Sequence, residues 1–174
     1  MGGGSIKRIG LYEKIRVLLE KAKKRVIEFA GVQPNPEIGQ VEKACAVVRE
    51  EHVSLILAVG GGSVIDFAKA VSVSAYCEGD PWTTYFLELK PVTCQTVPVG
   101  SVLTVVGTGS EANGTAVITN DAMHMKIGRP FGWRAFPRFA IINPELTLSV
   151  PEYQMVAGEF DIMSHAMEQY FSGD

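Results

Sequence analysis

Cysteine is scarce in this sequence: Cys45, Cys77 and Cys94 are the only three, at wide and irregular spacing. They fit neither a disulfide framework nor a Cys-x-x-Cys metal site, so we interpret them as reduced, mostly buried small apolar residues. The sequence also lacks the run of about 20 apolar residues that spans a bilayer. Its first residues, Met-Gly-Gly-Gly-Ser, lack the apolar core of a signal peptide. We therefore expect a cytoplasmic protein.

An excess of basic residues is missing as well. The chain has 16 lysines and arginines against 19 aspartates and glutamates, and its formal net charge is −3. Nucleic acids and anionic membranes attract proteins with a basic face, so neither is an expected partner. Apolar residues, in contrast, make up 47% of the 174 positions and charged residues 20%, which is typical of a globular domain with a substantial core.

Apolar periodicity in the first half of the chain alternates between helical and strand-like segments. Helices are predicted at about residues 11–19, 37–51 and 64–75, where apolar residues recur every three to four positions. Apolar runs predict strands at residues 26–30 and 53–59, and the second run is typical of a central parallel strand. Helix, strand, glycine loop and helix in this order predict a doubly wound, Rossmann-like α/β fold with a parallel sheet.

The second half of the chain is less regular. Candidate strands, whose directions the pattern does not assign, lie at residues 96–99, 115–119 and 139–142 between glycine- and proline-rich turns. A final helix is predicted to start at Pro151 and Glu152 and to run to the region of Phe171.

The strongest local signal is the glycine loop Gly60-Gly61-Gly62-Ser63, between a buried strand and a helix. Glycines let a backbone approach a ligand closely, and a helix start directs free N–H groups towards an anion such as a pyrophosphate. Ser63 either contacts the same anion or caps the helix. Asp66 either relieves the helix dipole or binds a polar ligand group. A bare tight turn is the alternative, because the loop is not the G-x-G-x-x-G fingerprint.

Two further motifs are weaker when each is taken alone. Residues 103–111 supply threonine, serine and glycine beside an apolar strand, a composition that ordinary turns share. Asp161 and His165 stand four apart and project from one helix face. Together they could bind a divalent metal such as Fe2+ or Zn2+, or they could be a core-facing histidine with a neighbouring acid.

Taken in order, these motifs resemble the iron-containing alcohol dehydrogenase family, and within it the bacterial butanol dehydrogenases and NADPH-dependent aldehyde reductases. The resemblance covers essentially the whole chain. It rests on Gly2-Gly3-Gly4-Ser5, Pro34-Asn35-Pro36, Gly60-Gly61-Gly62-Ser63 with Asp66, Gly107-Thr108-Gly109-Ser110-Glu111, Asn143-Pro144-Glu145-Leu146-Thr147-Leu148, and Asp161 with His165.

The resemblance implies hydride transfer between NAD(P)(H) and a primary alcohol or aldehyde, with Fe2+ or Zn2+ as a Lewis acid. Residues 1–150 would form the NAD(P)-binding α/β domain, without its N-terminal strands. Residues 151–174 would begin the all-helical metal-binding domain. No residue of the chain is expected to act as a covalent nucleophile, and a homodimer is an expected assembly.

Residue by residue, the resemblance assigns two groups of side chains and backbone positions. Asp161 and His165 would be metal ligands, and the two other ligands, both histidines, would lie beyond residue 174. Gly4 and Ser5 match the loop beside the adenosine ribose, where an aspartate is common in NAD-preferring members, so its absence favours NADP(H). The cofactor-binding residues implied are Gly4, Ser5, Asn35, Gly61, Gly62, Ser63, Asp66, Thr104, Thr108 and Lys126.

The same comparison implies a piece of a longer protein, truncated at both ends: strands are missing before the first glycine loop, and half of the metal ligands are missing at the other end. A sheet without one of its strands would expose an edge. Two alternatives remain open. One is a non-catalytic nucleotide- or phosphate-binding module, in which Asp161 and His165 are only helix residues. The other is an enzyme like glycerol dehydrogenase or dehydroquinate synthase, which the Pro34-Asn35-Pro36 turn and the Gly107-Thr108-Gly109-Ser110-Glu111 run both disfavour.

Overall fold

A parallel sheet lies at the centre of the computed structural model, which describes residues 1–173. Its strands are β1 (Ile56–Gly60), β2 (Val99–Leu103) and β5 (Phe139–Ile141), in the spatial order β1, β2, β5. Both pairings are parallel, with Ile56 beside Val99 and Gly100 beside Phe139. A separate antiparallel pair is formed by β3 (Thr115–Asn120) and β4 (Met125–Pro130).

The described residues also form five α-helices, and helices are expected in an α/β fold. They are α1 (Ser5–Arg8), α2 (Leu11–Lys21), α3 (Ile38–Glu50), α4 (Gly62–Ser74) and α5 (Glu152–Phe171). Helix α4 is buried along most of its length and packs against α3, β1 and β3. The main core forms around α4, with Phe67 and Ile65 among its largest fully buried side chains. The predicted doubly wound, Rossmann-like architecture is confirmed.

The predicted strand at residues 26–30 is wrong: only Ala30 forms a bridge there, and its partner is Gly2. Residues 1 and 2 lie between this segment and β1. Met1 bonds to β1 on one side, through Val59 N–H to Met1 O at 2.9 Å. Gly2 bonds to the 26–32 segment on the other, through Gly2 N–H to Phe29 O at 3.3 Å. Away from these two residues the space is a cavity of about 650 Å³, so the segment has no neighbour for a regular ladder.

Strand boundaries differ from the prediction at a second place. The predicted strand at residues 96–99 begins instead at Val99, because Pro98 has no N–H to donate and Val97 N–H bonds to Ser72 O of α4 at 3.3 Å. The strand predicted at residues 115–119 is β3. Its partner β4 was not predicted, and it begins directly after His124.

The helix predicted near the end of the chain is α5, which begins at Glu152 directly after Pro151. The predicted helix at residues 64–75 begins two residues earlier, at Gly62. A six-residue π-helix, Trp82–Leu87, follows α4 and was not predicted. All three cysteines are free thiols, with Cys45 buried and the other two half-buried. Between residues 1 and 173, every helix is too short or too polar to cross a bilayer.

Candidate cofactor and metal site

Two loops meet where the parallel strands β1 and β2 end. Parallel strands place their carboxyl ends at one edge of a sheet, which is where α/β proteins bind ligands. Gly60 ends β1 and leads into α4, and Leu103 ends β2 and leads into residues 104–109. Thr104 N–H donates to Gly60 O at 3.1 Å. The glycine loop and the 104–109 loop therefore form one continuous surface.

The glycine loop presents the free N-terminal end of α4. The cap position is Gly61, in an extended conformation and without a side-chain hydrogen bond. The first helical bond runs from Val64 N–H to Gly61 O at 3.0 Å. The N–H groups of Gly62 and Ser63 precede this bond, so they are available to an anion. Because Ser63 is the second residue of the helix, the interpretation of Ser63 as a helix cap is wrong.

Glycine is required in this loop partly because other residues of the same chain pack closely against it. A Cβ on Gly61 would lie 3.1 Å from Val105 Cβ, and a Cβ on Gly62 would lie 2.5 Å from Thr108 Oγ1. The second distance is below any normal contact between these atoms. The start of α4 thus rests directly against Thr108, which is itself one of the predicted cofactor contacts.

The carboxylate of Asp66 is directed into the protein. Its Oδ1 accepts a hydrogen bond from Ser110 Oγ, and its Oδ2 accepts one from Val117 N–H at 3.0 Å. Burial raises the pKa of this carboxyl above its ordinary value, against the opposing effects of these two donors and of Lys69. The observed contacts of Asp66 are therefore with β3 and with the segment after the 104–109 loop.

Two residues that sequence reasoning did not select, Lys69 and Asn113, complete this network together with Ser110 of the 103–111 motif. Lys69 Nζ lies 2.9 Å from both Ser110 Oγ and Asn113 Oδ1. One feature of the sequence could have identified Lys69. It is the only basic residue in the apolar segment that forms α4, which spans Gly62–Ser74.

Asn35 and Lys126 were both predicted as cofactor contacts, and they touch each other although 91 residues separate them. Lys126 Nζ donates to Asn35 Oδ1 at 2.7 Å. Asn35 has a φ of 55°, in the left-handed region that asparagine tolerates better than most residues. The turn is attached to β3, since Thr119 N–H donates to Pro36 O at 2.8 Å. Both side chains are exposed and open to a ligand.

Gly4 and Ser5 also lie at this edge, because Gly2 forms a bridge with Val59 near the end of β1. Gly4 has ordinary helical dihedrals, φ −68° and ψ −23°, and precedes α1. A Cβ at Gly4 would meet no other atom within 4 Å. The position thus has room for a larger side chain.

The predicted metal ligands Asp161 and His165 lie side by side on α5, with 3.7 Å between His165 Nε2 and Asp161 Oδ1. The His165 side chain is 60% exposed within the described residues. Helix α5 packs on the 104–109 loop through Gly158, whose Cβ position lies 3.0 Å from Val106 O. The Asp161 carboxylate thereby lies 3.5 Å from the Cβ position of Gly107.

The described residues supply only part of a metal site. Over residues 1–173 there is no group of three or more histidine, cysteine, aspartate or glutamate side chains placed to hold one ion. Lasting metal sites use three or four protein ligands. Asp161 and His165 fit two adjacent coordination positions, and no more.

Comparison with known proteins gives one consistent family. The model of the iron-containing alcohol dehydrogenase family matches residues 1–144. A probable NADH-dependent butanol dehydrogenase of Bacillus subtilis is 44% identical over 173 residues, which cover 98% of this chain and 43% of that protein. The NADPH-dependent aldehyde reductase YqhD of Escherichia coli is 37% identical, with 97% of this chain and 43% of that protein covered.

A solved structure agrees with these relatives. The NADH-dependent butanol dehydrogenase A of Thermotoga maritima superposes with a TM-score of 0.93 at 40% identity, and the match covers 99% of this chain and 43% of that one. The chain thus spans less than half the length of the relatives that it matches.

Proposed function

The chain belongs to the iron-containing alcohol dehydrogenase family, and on that premise we propose that it forms the dinucleotide-binding part of an NAD(P)-dependent oxidoreductase. The complete protein would transfer a hydride between NAD(P)(H) and a primary alcohol or aldehyde. We assign dinucleotide binding to residues 1–150 and the start of a helical, metal-binding domain to residues 151–174.

One observation supports this proposal most: the open start of α4 at the carboxyl edge of the parallel sheet, beside the 104–109 loop. Free N–H groups and the positive end of a helix dipole stabilise a pyrophosphate. We assign the pyrophosphate to Gly61, Gly62 and Ser63. Thr104 and Thr108 lie directly beside this loop and would bind the same cofactor.

The other cofactor residues extend this surface in two directions. Asn35 and Lys126 form an exposed pair in which the lysine supplies positive charge near the cofactor's phosphates or nicotinamide half. Gly4 and Ser5 would lie beside the adenosine ribose, where no acid would repel a 2′-phosphate, and this favours NADP(H). For Asp66 we propose an indirect role, because its oxygens already accept bonds from Ser110 and Val117.

A bound metal would supply a Lewis acid for the substrate oxygen, and Asp161 with His165 would hold part of it. These two donors do not make a site by themselves, so for the 174-residue chain we propose dinucleotide binding with little turnover. The same incompleteness favours, as a second candidate for this chain alone, a non-catalytic nucleotide-binding module. A homodimer in the cytoplasm is also proposed, and the exposed apolar edge strand β5 is consistent with self-association.

Substitution of Ser63 by aspartate tests the pyrophosphate assignment. The variant Ser63→Asp places a negative charge where the pyrophosphate would lie, yet an acid in the first turn of a helix favours folding. We expect NADPH affinity to fall by about tenfold or more, from repulsion between close charges. Isothermal titration calorimetry measures the affinity, and thermal unfolding reports that the fold is retained.

Lys14→Asp is the matched control, because it adds an acid to the first turn of α2 and changes the net charge even more. It should leave NADPH binding unchanged. Wild-type affinity in Ser63→Asp would contradict the pyrophosphate assignment. No NADPH or NADH binding by the wild-type chain would contradict the proposed function itself.

A further inference from the structure

Lys69 carries a charged group in the middle of the core. Its side chain is fully buried on α4, seven residues after Gly62. Fully buried lysines are rare in proteins unless their charge is satisfied by partners. The surrounding structure must therefore compensate this ammonium group.

The ammonium donates three hydrogen bonds, each 2.9 Å long, to Ser110 Oγ, Asn113 Oδ1 and Thr115 O. An ammonium group has three protons, so all of them are used. All three acceptors lie in residues 110–115, which directly follow the 104–109 loop. Asp66 Oδ1, at 3.9 Å, supplies the counter-charge.

Two further hydrogen bonds join the partners of Lys69 to the 104–109 loop, which lies beside the glycine loop. Ser110 N–H donates to Thr108 Oγ1 at 3.3 Å, and Asn113 Nδ2 donates to Gly109 O at 3.0 Å. Thr108 is the residue against which Gly62 rests. A continuous path of contacts thus joins the buried ammonium to the start of α4.

We propose that Lys69 is a positioning residue that holds residues 107–115 against the start of α4 and so sets the shape of the dinucleotide site. It touches no cofactor, and it acts through Ser110 and Asn113. This inference rests on the proposed dinucleotide function for its consequence, but the ordering of the loop by Lys69 can be measured without any ligand.

Lys69 loses its positive charge at a lower pH than an ordinary lysine. Burial lowers the pKa of Lys69 from 10.5 to about 8, and the neighbouring carboxylates Asp66 and Glu111 oppose this effect. Above this pH the neutral amine has only two protons for its three acceptors. The ordering of residues 107–115 should therefore weaken between pH 7 and about 9 in the wild-type chain. It should stay constant in a variant without the amine.

The test compares Lys69→Met with Lys43→Met, a control at an exposed lysine of α3. Methionine keeps most of the apolar volume of the lysine stem but removes the donors. We expect faster backbone hydrogen exchange at residues 108–117 in Lys69→Met, and NADPH binding weakened by about tenfold, the usual effect of losing charged hydrogen bonds. The NADPH affinity of the wild-type chain should decline above pH 8, where Lys69 loses its proton. Lys69→Met should show no such decline. The control should match the wild type in each measurement.

Asn113→Ala provides a second, milder variant, because it removes one acceptor of Lys69 at a half-buried position while the lysine stays in place. It should reproduce part of the exchange and affinity effects. In the Lys69→Met background it should add less than it does alone, since the two variants share the Lys69–Asn113 bond. Unchanged hydrogen exchange at residues 108–117 in both variants would overturn the inference. Wild-type NADPH affinity despite faster exchange would overturn it as well.

Failure of the proposed function gives a different result. In that case the wild-type chain binds no NADPH, and Lys69→Met still accelerates exchange at residues 108–117. Such a result would keep Lys69 as the residue that orders the loop and would remove the dinucleotide from its role.

Discussion

Substitution of Gly62 by alanine probes the contact on which the shape of the site depends. The added Cβ would lie 2.5 Å from Thr108 Oγ1 and 2.8 Å from Thr108 Cγ2, so either the helix start or the loop has to move. Inserting a methyl into a tight contact usually costs about 1–3 kcal/mol. Since Gly62 is itself the first residue of α4, alanine would otherwise favour folding by up to about 1 kcal/mol.

A matched control separates these two effects. Gly39 also lies in the first turn of a helix, α3, and a Cβ there meets no other atom within 4 Å. Gly39→Ala should therefore show only the helical gain. We expect Gly62→Ala to be less stable than Gly39→Ala by about 1–3 kcal/mol, which corresponds to a melting temperature about 2–12 °C lower in a domain of this size.

Denaturant and thermal unfolding of both variants measure this difference, and a rescue experiment identifies its source. Thr108→Ala removes the two atoms nearest to the new Cβ, so the cost of Gly62→Ala should become smaller in the Thr108→Ala background. Equal stability of Gly62→Ala and Gly39→Ala would refute the reasoning. A cost that does not change in the Thr108→Ala background would refute the assignment to Thr108.

Three further predictions concern cofactor choice, metal binding and pH. Gly4→Asp, which fits without a clash, should weaken NADPH binding more than NADH binding, and equal losses in calorimetry would count against the ribose assignment. The 174-residue chain should bind Fe2+ or Zn2+ weakly through Asp161 and His165 and show little alcohol turnover; turnover that Asp161→Ala abolishes would show a complete site. Burial lowers the pKa of the Met1 amino group from 8.0 to about 6. The unfolded chain therefore holds more protons between these values, and the stability of the 174-residue chain should rise by roughly 2 kcal/mol from pH 6 to 8, whereas N-terminal acetylation should remove this rise.

The parts of the fold that the sequence predicted are those with strong local patterns. The β1 run is buried on both faces, and it leads directly into the glycine loop and the apolar helix α4, so order and spacing were enough. The Asp161 and His165 pair lies on one helix face because four residues make about one helical turn. The position of Asp161 close to Gly107 was not predictable, because this contact depends on the close packing of Gly158 against Val106.

The missed features depend on distant partners. Residues 26–30 have the composition of a strand, but a strand needs a neighbour, and only residues 1 and 2 lie beside them. Strand β4 was missed because its side chains are mostly exposed and lack apolar alternation. The partners of Lys69 lie 41 to 46 residues further along the chain, so a lone lysine in an apolar helix gave no indication of its contacts.

The most direct test of the dinucleotide site is an NMR titration of the isotope-labelled 174-residue chain with NADPH. The amide signals of residues 60–63 and 104–109 should shift together and saturate at one equivalent, and those of Asn35 and Lys126 should follow. Shifts confined to the cavity between β1 and residues 26–30, or no shifts at all, would contradict a dinucleotide site at the start of α4.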